Sequence, residues 1–478
     1  MSIKKNYLFN LLRVFNQLLF PMLTIPYISR ILGAEGIGTV EYFIAIASYG
    51  LMVSSFGLSQ HISIEIAQLK NNSMQLKKKA ISAFNFQLLV TLLGGMLFIV
   101  ISLLLGISDK LMIFIFLFKI LLNVFRVEWY FIGKEDFKYI ALRDLAVKIS
   151  FLIIIFSFIT DKSDIYYYAL ALVLGDGLAN LFNIRKMVKE LKINIYKLLK
   201  INYEDLIEIY KSSLPFFFAG LAITIYITID KIMLGQILGQ SYVGYYSMSD
   251  RLVRIAMGIA LALAVTITPR LAYYYQHDKS KYFELLNKST KFILMLTIPM
   301  FIGISLMAND IVLLVFGKEF LPAVLTLKIL SAFLIIVPFA NIMGLQVLNV
   351  MGEAKKYTIS VIVAVVINII LNFILIVKFK HHGVAAASIM AEIVGVLVQA
   401  YFVRKLFKLD IIFDRKILNY FIASLVMGIF IFMLGTLDIY IVYKVLVQTV
   451  VGIVSYFGIL LLFKEKILVE LILKISRK

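Results

Sequence analysis

The chain has no cysteine, and among its 478 residues only one tryptophan, four histidines and seven prolines; charged residues make up 16%. The missing cysteine excludes disulfides, thiol nucleophiles and thiolate metal sites. His61, His277 and the loop pair His381 and His382 have no metal-like spacing with carboxylates, so they read as solvated loop residues. Paired catalytic carboxylates and a nucleotide–metal constellation in a sizeable loop are also missing. A membrane-bound transferase, polymerase or ligase would need one of them, and the chain reads as a non-enzyme.

What is present is apolar: 62% of residues are hydrophobic, a composition that no soluble globular protein of this size shows. The expectation is an all-α polytopic membrane protein. Its formal charge of +20 sits largely on lysines in short loops between apolar runs, the pattern of loops facing anionic lipid and not of a nucleic-acid binder. Lys4-Lys5 opens an apolar run that lacks a small-residue cleavage site and continues through Pro21 and Pro26, so it reads as a retained first span.

A window of about twenty residues predicts about fourteen spans, at 7–29, 37–58, 80–106, 111–132, 140–159, 164–184, 206–230, 242–268, 289–308, 323–350, 357–377, 383–403, 417–435 and 439–463. With both termini cytoplasmic, the outside loops hold only Arg30, Lys110, Lys162, Lys231, Lys318, Lys378 and Lys380, while most of the other basic residues fall inside. No outside loop is longer than about fifteen residues, too short for a folded domain. The inside segment 185–205 intersperses lysines with isoleucines, leucines and a tyrosine, which predicts a basic amphipathic helix on the inner leaflet.

The chain also repeats itself. Ile31-Leu32-Gly33 with Ile37-Gly38 joins the first two spans, and Ile237-Leu238-Gly239 with Val243-Gly244 joins the seventh and eighth, 206 residues later. A second echo pairs Gly133 and Tyr139 after span four with Gly352 and Tyr357 after span ten. Six spans per half keeps one orientation, so the halves should be related by an axis along the membrane normal. The expected organisation is a lobe at 1–205, ending in the basic segment 185–205, a second lobe at 206–404, and an appendage of two spans and tail at 405–478.

The opening Pro26-Tyr27-Ile28-Ser29-Arg30-Ile31-Leu32-Gly33-Ala34-Glu35-Gly36-Ile37-Gly38 resembles the bacterial O-antigen and capsule flippases. These form the Wzx-type, or polysaccharide-biosynthesis, family of the multidrug/oligosaccharidyl-lipid/polysaccharide exporter superfamily. Asp230-Lys231-Ile232-Met233-Leu234-Gly235, Val243-Gly244-Tyr245-Tyr246-Ser247, Leu348-Asn349-Val350-Met351-Gly352-Glu353 and Gly383-Val384-Ala385-Ala386-Ala387 agree with it. The resemblance implies two six-helix lobes in a V around a central cavity, with two extra C-terminal helices. It implies a plasma-membrane flippase that moves an undecaprenyl-diphosphate-linked oligosaccharide outward without a cofactor, driven by protons or sodium. Expected partners are that lipid-linked glycan, the bilayer, and polysaccharide polymerase and assembly proteins.

The charges within spans are the candidate site. Arg251 lies on the order of 15 Å inside its span, where an ionised side chain costs several kcal/mol unless it meets water or a partner. Arg251, Arg254, Lys119, Arg13, Arg126, Lys148 and Lys328 are the candidate substrate cations, because a diphosphate crossing hydrocarbon needs a wet cationic path. Lys119 and Arg126, seven apart, would share one face of span four. The plainer alternatives are that Asp250 neutralises Arg254 as an i, i+4 pair, and that Arg126 with Glu128, Arg143 with Asp144, and Lys291 snorkel to the cytoplasmic interface. Asp176, Glu392, Asp250 and Asp230 are the candidate coupling carboxylates, or else structural partners of nearby bases. A peptidoglycan-precursor flippase, a cation-coupled multidrug exporter and a non-transporting assembly partner are the competing functions.

Overall fold

The structure, a computed structural model, describes residues 3–193, 202–407, 414, 416–465 and 467–470, with side chains for all of these except 3–19 and 262–266. Almost every described residue is helical and none forms a strand. In hydrocarbon each backbone N–H and C=O must be satisfied within its own segment, and a helix does so locally. The chain divides into two compact units, Met1–Val243 and Gly244–Lys478.

The first unit holds α1 (Ile3–Ser55), α2 (Leu58–Gln68), α3 (Ser73–Leu104), α4 (Lys110–Leu122), α5 (Glu128–Gly133), α6 (Phe137–Phe158), α7 (Ile165–Leu191) and α8 (Tyr203–Ile237). α8, expected to open the second lobe, lies in this unit and is joined to α1 by an ion pair between Lys231 and Glu41 at 2.7 Å. α9 (Gln240–His277) leads into the second unit. There follow α10 (Lys279–Leu306), α11 (Ala308–Val315), α12 (Ala323–Ser331), α13 (Phe333–Asn341), a π-helix (Ile342–Asn349), α14 (Ala354–Arg404), α15 (Ile417–Gly435) and α16 (Ile441–Leu462).

Nine described helical stretches are long and apolar enough to cross a membrane, and two of these are double length. α1 bends at Gly33 (φ 67°), and α14 at Lys380 (φ 55°), where neighbouring spans were expected to meet. Gly33 and Gly239 (φ 101°) both adopt positive φ, so the repeated Ile-Leu-Gly motif makes its turn with glycine in each copy. The second echo is different. Gly352 turns with φ 83°, but after span four it is Glu135 (φ 58°) that turns. Gly133 instead seats α5 against α2, since a Cβ there would stand 2.6 Å from the Ser63 carbonyl oxygen.

Span four is not one helix. α4 stops at Leu122, a 3-10 turn covers Asn123–Phe125, and α5 begins at Glu128. Buried side chains of α1 and α3 take up the polar groups exposed by this break. Gln87 Nε2 donates to the Asn123 carbonyl at 2.8 Å, Asn123 Nδ2 donates to Ser54 Oγ at 2.5 Å, and Ser54 pairs with Thr91 at 3.0 Å. Trp129 Nε1 closes the chain on Gln87 Oε1 at 3.0 Å. A hydropathy window registers only the apolar average, so the break leaves no trace in it.

α1 and α3 touch backbone to backbone. A Cβ on Gly50 would fall 2.8 Å from the Gly94 carbonyl oxygen, and a Cβ on Gly94 would meet the Gly50 oxygen. Glycine permits this approach, as small residues do generally between membrane helices. Gly94→Ala is therefore expected to push the helices apart and cost about 1–3 kcal/mol, read as a lower unfolding temperature in detergent.

The segment expected as an amphipathic helix at 185–205 begins as the last two turns of α7, which end at Leu191 with Lys192 left-handed. Residues 194–201 lie outside the described residues. In the second unit, α15 and α16 pack on α10 through Leu294, Met295, Ile298, Tyr420, Ala423 and Tyr456. Between α14 and α15, Asp414 accepts from Lys291 Nζ at 2.7 Å and from the Lys416 backbone N–H at 3.1 Å. Both donors hold its carboxyl below the ordinary aspartate value.

A depressed carboxyl pKa adds stability above the unfolded-state value and loses it as pH falls through the folded-state value. Asp414→Asn should thus lower the unfolding temperature at neutral pH. The difference from the parent should begin to shrink as pH drops below about 3.9 and be gone once pH is below the lower folded-state value.

Candidate functional site

On α9, Arg254 Nε donates to both oxygens of Asp250, at 2.8 and 2.7 Å. The spacing is i, i+4 with the acid on the N-terminal side, the favourable order on a helix. Asp250 is buried, its side chain 9% exposed, whereas the Arg254 side chain is 40% exposed. The pair therefore locks a carboxylate inside and leaves part of a guanidinium accessible. Arg254 lies fourteen residues into a 38-residue helix, about 21 Å from its start. Arg251, half-buried, precedes it by three positions, so this stretch carries two guanidiniums and one carboxylate.

In the first unit two candidates expected in different roles meet. Lys119 Nζ lies 3.0 Å from Asp176 Oδ2, with side-chain exposures of 16% and 68%. Lys119 is thus compensated by α7, and Asp176 is exposed rather than buried. Arg126 does not share a face with Lys119, because the helix breaks between them; it is exposed, 4.0 Å from Glu128. Lys148 is half-buried with Nζ 5.3 Å from the centre of the Phe20 ring, a cation–π contact.

Asp230 is buried near the end of α8. The side chain of Arg13, in α1, lies outside the described residues. In the second unit Lys328 is exposed on α12 and Glu392 is half-buried on α14.

Arg143 does not snorkel. It is 7% exposed, donates from Nε to Asp144 Oδ1 at 3.2 Å, hydrogen-bonds Asn183 of α7, and stands 3.7 Å from Glu128 of α5. One guanidinium ties the short helix after the break to α6 and α7. Neither Asn183, forty positions away, nor the reach back to Glu128 carries a sequence signal. Lys291 is likewise paired, with Asp414.

The histidine expectation also changes. His381 is buried, its Nε2 3.1 Å from the Pro322 carbonyl oxygen, and His382 Nδ1 is 2.9 Å from Thr326 Oγ1. They pack the bend of α14 onto α12 instead of facing solvent. Among the described residues no group of three or more His, Cys, Asp or Glu could hold a metal ion.

Comparison with known proteins completes the picture. The sequence matches the family described as polysaccharide biosynthesis protein over residues 3–275, more than half of the chain. "Putative O-antigen transporter" of Escherichia coli (strain K12) is 24% identical over 410 residues, covering 84% of this chain and 97% of that protein. "Probable low-salt glycan biosynthesis flippase Agl15" of Haloferax volcanii is 33% identical over 180 residues, 37% of this chain and 38% of that one. Among solved structures, lipid II flippase MurJ in its inward closed conformation superposes with a TM-score of 0.76 at 18% identity, covering 96% of this chain and 99% of that one.

The fold is therefore that of a polytopic helical membrane protein, shared with the lipid II flippase structure. Within that class, the chain belongs to the polysaccharide biosynthesis protein family.

Proposed function

We propose that the chain is a flippase that carries a lipid-linked oligosaccharide from the cytoplasmic to the outer leaflet of a bacterial plasma membrane, with both termini cytoplasmic. The observation that carries this reading is the match to the Escherichia coli O-antigen transporter over 97% of that protein's length. The chemistry agrees. A diphosphate and several sugars cannot enter hydrocarbon, where each unsatisfied polar group costs several kcal/mol.

A guanidinium about 21 Å along α9 and 40% exposed faces either lipid, at prohibitive cost, or an aqueous path where it can receive phosphate oxygens. Arg251, three residues before it on the same helix, joins it there, while the prenyl tail stays in lipid. The same chemistry disfavours a multidrug exporter for cations, which would want acids at that depth. It does not separate an O-antigen or capsule unit from a peptidoglycan precursor, whose diphosphate is identical.

Coupling to an ion gradient through Asp176 or Glu392 completes the proposal. Asp176 is exposed and ion-paired with Lys119 of α4. Liposomes holding the purified protein and a fluorescent undecaprenyl-diphosphate oligosaccharide test the reading. Leaflet exchange should require the protein and rise with an imposed pH gradient, and Asp176→Asn or Glu392→Gln should remove the gradient response. Absence of exchange with several glycans, from protein shown to be folded, would reject the flippase.

A further inference from the structure

A proline at position i lacks the N–H that would bond the carbonyl of residue i−4. In α10 this rule runs from Pro299 to Met295, whose carbonyl has no i+4 donor in a buried apolar setting. The hydroxyl of Tyr456, on α16, donates to that same carbonyl oxygen at 2.7 Å. Tyr456 is buried and packs with Leu294, Met295 and Ile298 around the proline turn. The α15–α16 pair is also held at two further points. Asp414, just before α15, binds Lys291 of α10 at 2.7 Å, and Lys444 of α16 lies 3.7 Å from Asp310 of α11.

We propose that α15 and α16 form a splint on the second unit, and that Tyr456 is the positioning residue that sets the bend of α10 by satisfying the carbonyl that Pro299 frees. In hydrocarbon a freed carbonyl must find a donor or remain a liability. With the hydroxyl in place one bend is selected; without it the helix samples several. Packing alone would behave differently, because the apolar contacts of Tyr456 do not depend on whether residue 299 has an N–H. The inference stands apart from the flippase reading, since the bend is measured without substrate.

The native absence of cysteine makes the test clean. Spin labels on Lys288→Cys and Leu306→Cys, both exposed positions on α10 flanking Pro299, report the distance across the bend in the full chain in liposomes. Tyr456→Phe, which removes only the hydroxyl, should broaden that distance distribution and shift the balance of bends by roughly tenfold. Pro299→Ala restores an N–H to the Met295 carbonyl, so adding Tyr456→Phe to it should change neither the distribution nor the unfolding temperature further. Should Tyr456→Phe fold poorly, Pro299→Ala is expected to rescue it. An unchanged distribution in Tyr456→Phe, or an effect of equal size with and without Pro299→Ala, would overturn the proposal.

Discussion

Arg254→Ala is expected to reduce leaflet exchange of a diphosphate-linked glycan by about tenfold or more, the loss of one charge-assisted contact to a phosphate. The substitution does two things at once, because Arg254 also binds both oxygens of Asp250. Leaving that buried carboxylate unpaired costs about 3–5 kcal/mol, enough to unfold a marginal protein and imitate a transport defect. The double variant Asp250→Asn, Arg254→Ala separates the two effects. Removing both charges should return the unfolding temperature close to that of the parent, since a buried pair can be replaced at little net cost. Exchange should stay low. Recovery of exchange along with stability would make the pair purely structural and remove Arg254 from the substrate path.

Arg143→Met is the second large expectation, and here the effect is on folding. Its side chain, 7% exposed, serves Glu128, Asp144 and Asn183 at once. Without it Glu128 and Asp144 lose the guanidinium they share, at a cost of about 3–5 kcal/mol. Lysine should recover only part of this, because a single ammonium cannot reproduce a planar fork reaching three partners. Neutralising the carboxylates together with the arginine, as Arg143→Met, Glu128→Gln, Asp144→Asn, should restore most of the stability. The molecule carries its own reporter: Trp129, the sole tryptophan, is buried beside Glu128 and bonded to Gln87. Its emission on heating should shift early in Arg143→Met and near the parental temperature in the triple variant. A parental transition in Arg143→Met itself would show that the cluster holds nothing together.

These two residues illustrate what the sequence discloses. Arg251 and Arg254 were legible because charge within an apolar run is rare and the i, i+4 spacing to Asp250 is local. The helical spans and the Ile-Leu-Gly turns were legible for the same reason: hydropathy and glycine geometry act over a few residues. What escaped depends on contacts between distant segments. Lys119 finds Asp176 fifty-seven positions away, and Lys231 finds Glu41 one hundred and ninety positions away, so their partners cannot be read from spacing. The break after Leu122 escaped because the side chains that satisfy it, Gln87 and Ser54, lie on other helices. His381 and His382 were misplaced because short polar runs between apolar ones look like loops, whereas here the helix bends at Lys380, buries His381 and half-buries His382.

The backbone contact between Gly50 and Gly94 has a mechanical consequence. Two helices that touch through bare peptide planes leave no compressible side-chain layer between them, so the stretch of α1 beyond Gly33 and the facing part of α3 must turn together as one plank. The stretch before Gly33 is held by α6 instead, where the Tyr27 hydroxyl donates to the Ile159 carbonyl at 2.9 Å and the Tyr27 ring packs on Phe156. One 53-residue helix therefore has two separate seats, α3 beyond Gly33 and α6 before it, and a substitution in one seat can be made without touching the other.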